Sequence, residues 1–257
     1  MTADTSPVLF IHLMKTGGTT LMRNLRETFA LEEIYPYRDL DLRYEDGQLD
    51  IQHHFSVPYL LTISKERWAQ IRVLTGHFPY VVQEILGRDF LTVTILREPV
   101  ERTISLLRQF KRNQPWEDPA GLQPRAARTL EAVYDEPLVF GPLIQNHQTK
   151  IFSMTTADNP HTYTDVIEVT QSRLELAKTN LAQIDVVGVL ENFQEFLRET
   201  QERFGWRIVQ GARKNATPES DMEPIDPDLR HRIAADNAID IEFYAYAKEL
   251  VDSRAGR

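Results

Sequence analysis

The sequence predicts a three-layer α/β protein, in which helices cover both faces of a central parallel sheet. Apolar runs alternate along the chain with amphipathic stretches, starting with residues 8–11 (VLFI) and continuing with 89–97 (DFLTVTILR) and 186–190 (VVGVL). Each run is followed by a helical pattern, and strands that alternate with helices usually pair in parallel. Because we find no internal repeat and no linker-like boundary, we predict a single domain over residues 1–257.

The first predicted strand leads through a glycine-containing loop into a predicted helix over residues 21–31. The loop residues are Lys15, Thr16, Gly17, Gly18, Thr19 and Thr20. Glycines let backbone N–H groups turn inward, and a helix start carries partial positive charge, so this loop suits an anion. The lysine precedes the glycines, so the loop is not a Walker A motif. A plain glycine turn with a solvated lysine is the alternative interpretation.

Residues 32–64 show no regular period and are predicted to form loops with short elements. The stretch contains several tyrosines and two adjacent histidines, His53 and His54. Aromatic and polar residues in a long connection of an α/β protein often line a substrate cleft. An ordinary surface loop is an equally good interpretation of this stretch.

A short strand over residues 72–75 is followed at once by Gly76-His77-Phe78-Pro79, and a helix is predicted from Pro79 to Leu86. His77 therefore follows the carboxyl end of a strand, which is where ligands bind in open parallel sheets. The position makes His77 a candidate catalytic residue, although a lone histidine is more often structural.

The strongest predicted strand, residues 89–97, ends in Arg97-Glu98-Pro99 and is followed by a predicted helix over residues 100–111. Arg102 and Ser105 lie three residues apart and share a face near the start of this helix. Two guanidinium groups and a hydroxyl are thus expected to converge on a helix N-terminus, an arrangement that suits a phosphate. The alternative is a surface network of arginines and glutamates.

Further helices are predicted over residues 125–134, 137–152 and 173–184, from residue 193 onward, and over residues 229–251. Residues 211–218 (GARKNATP) form a basic loop in an acidic chain. The net charge of -9 argues against nucleic acid as a partner, since polyanions require a cationic field. It still allows a small anionic ligand that is held by a few local cations.

The composition excludes several other classes of protein. The chain has no cysteine, which rules out disulfides and thiolate chemistry. No apolar run approaches the roughly 20 residues of a membrane span. The first ten residues lack the basic and apolar regions of a secretory signal, so a cytoplasmic location is expected.

Three segments together resemble the sulfotransferase superfamily, whose members use 3′-phosphoadenosine 5′-phosphosulfate (PAPS). They are HLMKTGGTTL, ILREPVERTISL and RKNATP, at residues 12–21, 95–106 and 213–218. TGHFPY and NHQTKIFS, at residues 75–80 and 146–153, look more like the branch with the heparan 2-O enzymes and the sulfotransferase domains of bacterial polyketide synthases. The similarity covers about residues 8–250, and the first two motifs in this order form a specific pair.

The resemblance implies a P-loop-like fold and in-line transfer of a sulfuryl group from PAPS to a hydroxyl by a sulfotransferase, without a metal ion. The first loop, Lys15 to Thr20, would bind the 5′-phosphosulfate, with Lys15 neutralising the leaving phosphate. Arg97 and Ser105 would bind the 3′-phosphate. The cofactor would also meet the late basic loop through Arg213, Lys214 and Asn215. His77 would act as the general base, with His53, His54 and Glu191 as reserves.

Two other functions remain open on the sequence: a P-loop nucleotide-dependent kinase and a non-catalytic nucleotide-binding protein. Met14 replaces a proline common in relatives, and Glu98 an aspartate, a change that we expect to alter helix capping only. The acidic balance favours as acceptor a neutral or cationic small molecule, a lipid or a carrier-bound chain over a polyanionic glycan. We expect its pocket along residues 35–59 and 109–128. The sequence assigns neither the acceptor's identity nor an oligomeric state.

Overall fold

A computed structural model describes residues 6–37, 41, 44–45, 48–49, 52–112, 128–207 and 224–255. Seven strands are found in this part of the chain: β1 (Val8–Ile11), β2 (Ile34–Tyr35), β3 (Tyr44–Glu45), β4 (Gln48–Leu49), β5 (Val73–Gly76), β6 (Leu91–Leu96) and β7 (Val186–Val189). Five of them form one parallel sheet in the order β2-β5-β1-β6-β7, and β3 and β4 form a short antiparallel pair. The predicted parallel sheet is confirmed.

Helices make up most of the remaining described chain. They are α1 (Gly18–Thr28), α2 (Val57–Leu61), α3 (Lys65–Gln70), α4 (Val82–Leu86), α5 (Pro99–Arg112), α6 (Leu130–Tyr134), α7 (Pro137–Val139), α8 (His147–Ser153), α9 (Gln171–Ala182), α10 (Phe193–Phe204), α11 (Pro227–Asp236) and α12 (Ala238–Ala255). A π-helical turn, Phe140–Ile144, joins α7 to the segment before α8.

The alternation of side chains along the strands produces the three layers. On β1, Val8 and Phe10 lie in a buried cluster with side chains of α1 and α10. Leu9 and Ile11 lie in the opposite cluster, with side chains of α8, α9 and α12. Burying each large apolar side chain contributes about 1.5–3 kcal/mol, so both faces of the sheet hold helices. The predicted three-layer architecture is confirmed.

The register of the sheet brings three chain segments to one edge. β1 is the central strand, and its last residue, Ile11, pairs with Gly76 of β5 on one side and Thr94 of β6 on the other. All three strands run in the same direction, so the residues that follow them emerge at the same edge. These residues include the glycine loop, His77 and Arg97.

Two helices that the sequence predicted as continuous are broken. The stretch over residues 137–152 divides because Pro142, within the π-helical turn, has no backbone N–H and Asn146 adopts a left-handed backbone with φ 46°. The final helix divides at Asn237, whose buried side chain donates to the Ile233 carbonyl and accepts from the Asn146 N–H. The two breaks therefore meet in space, and the Asn146 side chain in turn accepts the Asp240 N–H in the first turn of α12.

Within the ranges that the structure covers, we find no helix with the length and apolar character that crossing a membrane requires.

Candidate active site

The glycine loop has a left-handed backbone at two positions, Lys15 with φ 69° and Gly17 with φ 91°, before α1 begins at Gly18. The loop is held by its own bonds: the Thr16 hydroxyl donates to the Leu13 carbonyl at 2.9 Å, and the Thr20 N–H donates to the Gly17 carbonyl at 3.0 Å. The first turn of α1 has no acidic residue. The helix start and Lys15 therefore add positive charge at the same place.

Both glycines are also required by the packing of the loop. A Cβ atom at Gly17 would lie 2.7 Å from Leu190 Cδ1, and one at Gly18 would lie 1.9 Å from His12 Nε2. Real Cβ contacts are not that short, so any larger residue would displace the loop or these neighbours. Neither position has room for a side chain while these neighbours keep their places.

Arg97 lies directly against the glycine loop. Its Nη1 donates to the Lys15 carbonyl at 3.2 Å. The structure thus brings together two segments 82 residues apart, which the resemblance assigned to the two ends of one nucleotide. Such proximity is what the expected roles of Lys15 and Arg97 require.

Arg102, the second guanidinium expected beside Arg97, is buried, although the charge of Arg97 reaches it and lowers its pKa. Arg102 is completely buried and its Nη2 donates to the Leu143 carbonyl at 2.8 Å. It shares the inward face of α5 with Leu106, four residues on, and so points into the protein interior. Burial lowers the pKa of Arg102 to about 10. Ser105 is half-buried, about 9 Å along α5 from its first residue.

Glu98, the substitution that we expected to change only capping, does cap α5. One of its carboxylate oxygens accepts the Glu101 N–H at 2.7 Å. The acidic side chain thus satisfies a free donor in the first turn of the helix.

His77 is held at three points around the end of β5. Its backbone N–H donates to the His54 carbonyl at 2.8 Å, and its Nδ1 lies 2.7 Å from the His12 carbonyl oxygen. Since a carbonyl only accepts, Nδ1 carries the proton, and in the neutral ring Nε2 carries the lone pair. The ring packs on Tyr163, with centroids 5.0 Å apart. Burial lowers the pKa of His77 to about 4, so the ring is neutral at pH 7.

Other histidines close to His77 are also held in the neutral form. Burial is the main cause that lowers the pKa of His12, His54 and His147. The His12 ring lies 4.6 Å from the His77 ring, and Tyr163 contacts both His77 and His147. The base candidate therefore lies among uncharged aromatic rings.

Sequence reasoning missed several of these neighbours. His147 lies in the NHQTKIFS motif, but nothing in the sequence places its ring near His77. Tyr163 lies in a polar loop and carries no motif that would have found it. Gln148, which contacts Arg97, was likewise named only as part of NHQTKIFS.

The described part of the expected acceptor segment, residues 35–59, lies next to His77. The Tyr35 hydroxyl and His53 Nδ1 are 2.6 Å apart, and the His53 ring packs edge-on against Tyr59 at 4.6 Å. His54 supplies the carbonyl that accepts the His77 N–H. This hydrogen bond fixes the segment against the base candidate.

Two further expectations fall outside the described residues. They concern Arg213, Lys214 and Asn215, and most of the second acceptor segment, residues 109–128.

Among the reserve bases, Glu191 accepts a hydrogen bond from the Tyr244 hydroxyl at 2.5 Å.

The donors at this edge suit an anionic ligand. Lys15 and the start of α1 offer one group of donors, and Arg97, which directly follows the neighbouring strand β6, offers a second. A neutral histidine with an available lone pair stands on the opposite side of β1, at the end of β5. The arrangement can hold an anionic donor and accept a proton from a second reactant.

The chain is similar to known sulfotransferases. Human heparan-sulfate 6-O-sulfotransferase 2 is 26% identical over 95% of this chain and 44% of its own length. The chicken enzyme of that name is 27% identical over 95% of this chain, and zebrafish heparan-sulfate 6-O-sulfotransferase 1-B is 26% identical over 96%. This chain spans 66% of each of these two relatives.

A crystal structure of a sulfotransferase from Alicyclobacillus acidocaldarius aligns over 97% of both chains, with a TM-score of 0.46 and 15% identity. The sequence model of the Sulfotransferase family matches residues 1–247, which is nearly the whole chain. The chain therefore belongs to the sulfotransferase family.

Proposed function

We propose that this protein transfers a sulfuryl group from PAPS to a hydroxyl of an acceptor. Family membership supports sulfuryl transfer in general. The observation that carries the specific proposal is the 3.2 Å hydrogen bond from Arg97 to the Lys15 carbonyl. It joins the two segments that would hold the two ends of the nucleotide, at the sheet edge where His77 also lies.

The chain's own residues would bind the nucleotide at both ends. Bound PAPS would supply the activated sulfuryl group. Lys15 and the N–H groups at the start of α1, with the loop residues Thr16 to Thr20, would neutralise the charge that develops on the leaving phosphate. Arg97 and Ser105 would bind the 3′-phosphate, and Arg213, Lys214 and Asn215 would add further contacts. The proposal needs no metal ion, because cationic side chains and helix N–H groups supply the positive charge.

His77 would take the proton of the acceptor hydroxyl at Nε2. The hydrogen bond from Nδ1 to the His12 carbonyl fixes the tautomer that leaves Nε2 unprotonated. When Nε2 gains the proton, Nδ1–H still donates to the same carbonyl, and this bond strengthens as the ring becomes charged. The residue thus needs no movement during the transfer.

The acceptor class is proposed from the charge of the chain. The relatives are named for heparan sulfate, a property of those proteins. This chain has a net charge of -9, and the rings around His77 are neutral, which favours a neutral or cationic small molecule, a lipid or a carrier-bound chain. The cytoplasmic location stays a prediction.

Thermal unfolding with nucleotides tests the donor. Adenosine 3′,5′-bisphosphate should raise the melting temperature, whereas ATP with Mg²⁺ should change it little, since only the former carries the 3′-phosphate. Equal stabilisation by both would contradict the proposal.

A screen of hydroxyl acceptors with labelled PAPS tests the transfer and the base. His77→Ala should reduce turnover by about 10²–10⁴-fold while binding of the bisphosphate is retained. An unchanged turnover and pH–rate profile in this variant would assign the base elsewhere. Sulfation of heparan at a rate above that of every neutral acceptor would overturn the acceptor class alone.

A further inference from the structure

Gln148 forms a closed pair of hydrogen bonds with the backbone of Arg97. Its Oε1 accepts the Arg97 N–H at 3.1 Å, and its Nε2 donates to the Arg97 carbonyl at 2.9 Å. The Gln148 side chain is completely buried. Both backbone groups of Arg97 are therefore satisfied by one amide, at the point where β6 ends at Leu96 and the sheet no longer supplies partners.

Gln148 is itself fixed by the C-terminal helix. One oxygen of Asp240, in α12, accepts the Gln148 N–H at 3.0 Å. The other oxygen accepts the Thr149 N–H and the Thr149 hydroxyl, both at 2.7 Å. The Asp240 N–H in turn donates to the Asn146 side chain at 3.0 Å. The first turn of α8 is thus locked to α12, and all these residues are buried.

We propose that Gln148 is a positioning residue for nucleotide binding, which acts by holding the backbone of Arg97. This inference rests on the proposed role of Arg97 at the 3′-phosphate. With its peptide groups anchored, Arg97 keeps its guanidinium at the Lys15 carbonyl and beside the glycine loop. An arginine on an unanchored strand end would lose conformational freedom at the moment of binding, which weakens affinity. In this role Gln148 is the residue of the NHQTKIFS segment that supports nucleotide binding.

The effect should be confined to the 3′-phosphate end of the nucleotide. The glycine loop keeps bonds that do not involve Arg97, from the Thr16 hydroxyl to Leu13 and from the Thr20 N–H to Gly17. Loosening Arg97 therefore leaves the 5′ end of the site in place. Ligands with and without a 3′-phosphate should respond differently to a change at Gln148.

Isothermal titration of adenosine 3′,5′-bisphosphate and of adenosine 5′-phosphate tests this difference. Gln148→Met preserves side-chain volume and removes both hydrogen bonds, so the Kd of the bisphosphate should rise about tenfold. The Kd of adenosine 5′-phosphate should change less than about twofold. Gln148→Ala provides a second variant if the methionine variant does not fold.

Asn180→Ala is the matched control, since its amide donates to the Phe152 carbonyl at the other end of α8, at 2.7 Å. The ratio of the adenosine 5′-phosphate Kd to the bisphosphate Kd should stay at the parent's level in this control. If that ratio falls in the control as far as in the Gln148 variants, the inference is overturned, because the effect would then follow from any loosening of α8.

Variants of Arg97 separate the inference from the proposed function. If Arg97→Ala retains the preference for the bisphosphate, Arg97 does not bind the 3′-phosphate. The role of Arg97 in the proposed function and the positioning role of Gln148 are then both wrong. If Arg97→Ala loses the preference while the Gln148 variants keep it, the proposed function stands and the positioning role is wrong. The double variant Arg97→Ala/Gln148→Met should bind the bisphosphate as Arg97→Ala does, and additive losses would overturn the positioning role.

Discussion

Exchanging His77 for asparagine should make the protein less sensitive to acid. Burial lowers the pKa of His77 from 6.5 to about 4, so the unfolded chain binds a proton more readily than the folded chain. The stability that this site contributes is complete above pH 6.5 and is lost as the pH falls from 6.5 towards 4. At pH 5.0 the loss amounts to at most about 2 kcal/mol, because solvent reaches part of the ring.

Urea denaturation at pH 7.5 and pH 5.0 measures this contribution. His77→Asn keeps a donor for the His12 carbonyl but has no group that titrates. Its unfolding free energy should therefore fall less than the parent's over this interval, by up to about 2 kcal/mol. The charge of His77 also lowers the pKa of His12 and His147, so removing His77 lessens their loss of stability in acid and adds to the same difference. His231→Asn, at an exposed position of α11, controls for the exchange itself. Equal losses in the parent and His77→Asn would show that the folded protein does not hold this ring neutral.

Three further substitutions, with one control, test the loop and its support. Lys15→Ala should lower turnover by about two to four orders of magnitude, since the loop loses its principal charge; a rate within tenfold of the parent's would reject that role. Gly18→Ala should lower the unfolding free energy by about 1–3 kcal/mol and also reduce turnover, because its Cβ would meet the His12 ring at 1.9 Å. Gly87→Ala, where a Cβ has open space, should cost stability only, and thermal unfolding with initial rates distinguishes the two. Asp240→Ala should destabilise by about 3 kcal/mol or more in urea denaturation, since it leaves buried N–H groups of α8 unpaired; a loss below about 1 kcal/mol would contradict that account.

The sheet could be predicted because its strands carry their own signals. The strands β1, β6 and β7 are short apolar runs, and each lies within a residue or two of its predicted bounds. The breaks at Asn146 and Asn237 could not be predicted in the same way. Each break lies at a residue with a left-handed or irregular backbone within a helical pattern. Each is stabilised by contacts with the other break, 91 residues away.

The candidate site was predictable where residues follow strands. Lys15, His77 and Arg97 each follow a predicted strand, and parallel strands bring their carboxyl ends to one edge, whereas their expected roles come from the resemblance. Arg102 was misplaced, since spacing along a helix shows which residues share a face but not whether that face points to the cleft or to the interior. Gln148 and Tyr163 depend on contacts between distant segments, and no local pattern reveals such contacts.

The left-handed backbone of Lys15 has a consequence for engineering. Only glycine adopts φ 69° without strain, so a glycine at this position would relax the turn while removing the charge. Selection for heat resistance alone would therefore favour the loss of this lysine. A library of thermostabilised variants should therefore also be screened for turnover, because a screen for stability alone will enrich variants that fold well but are inactive.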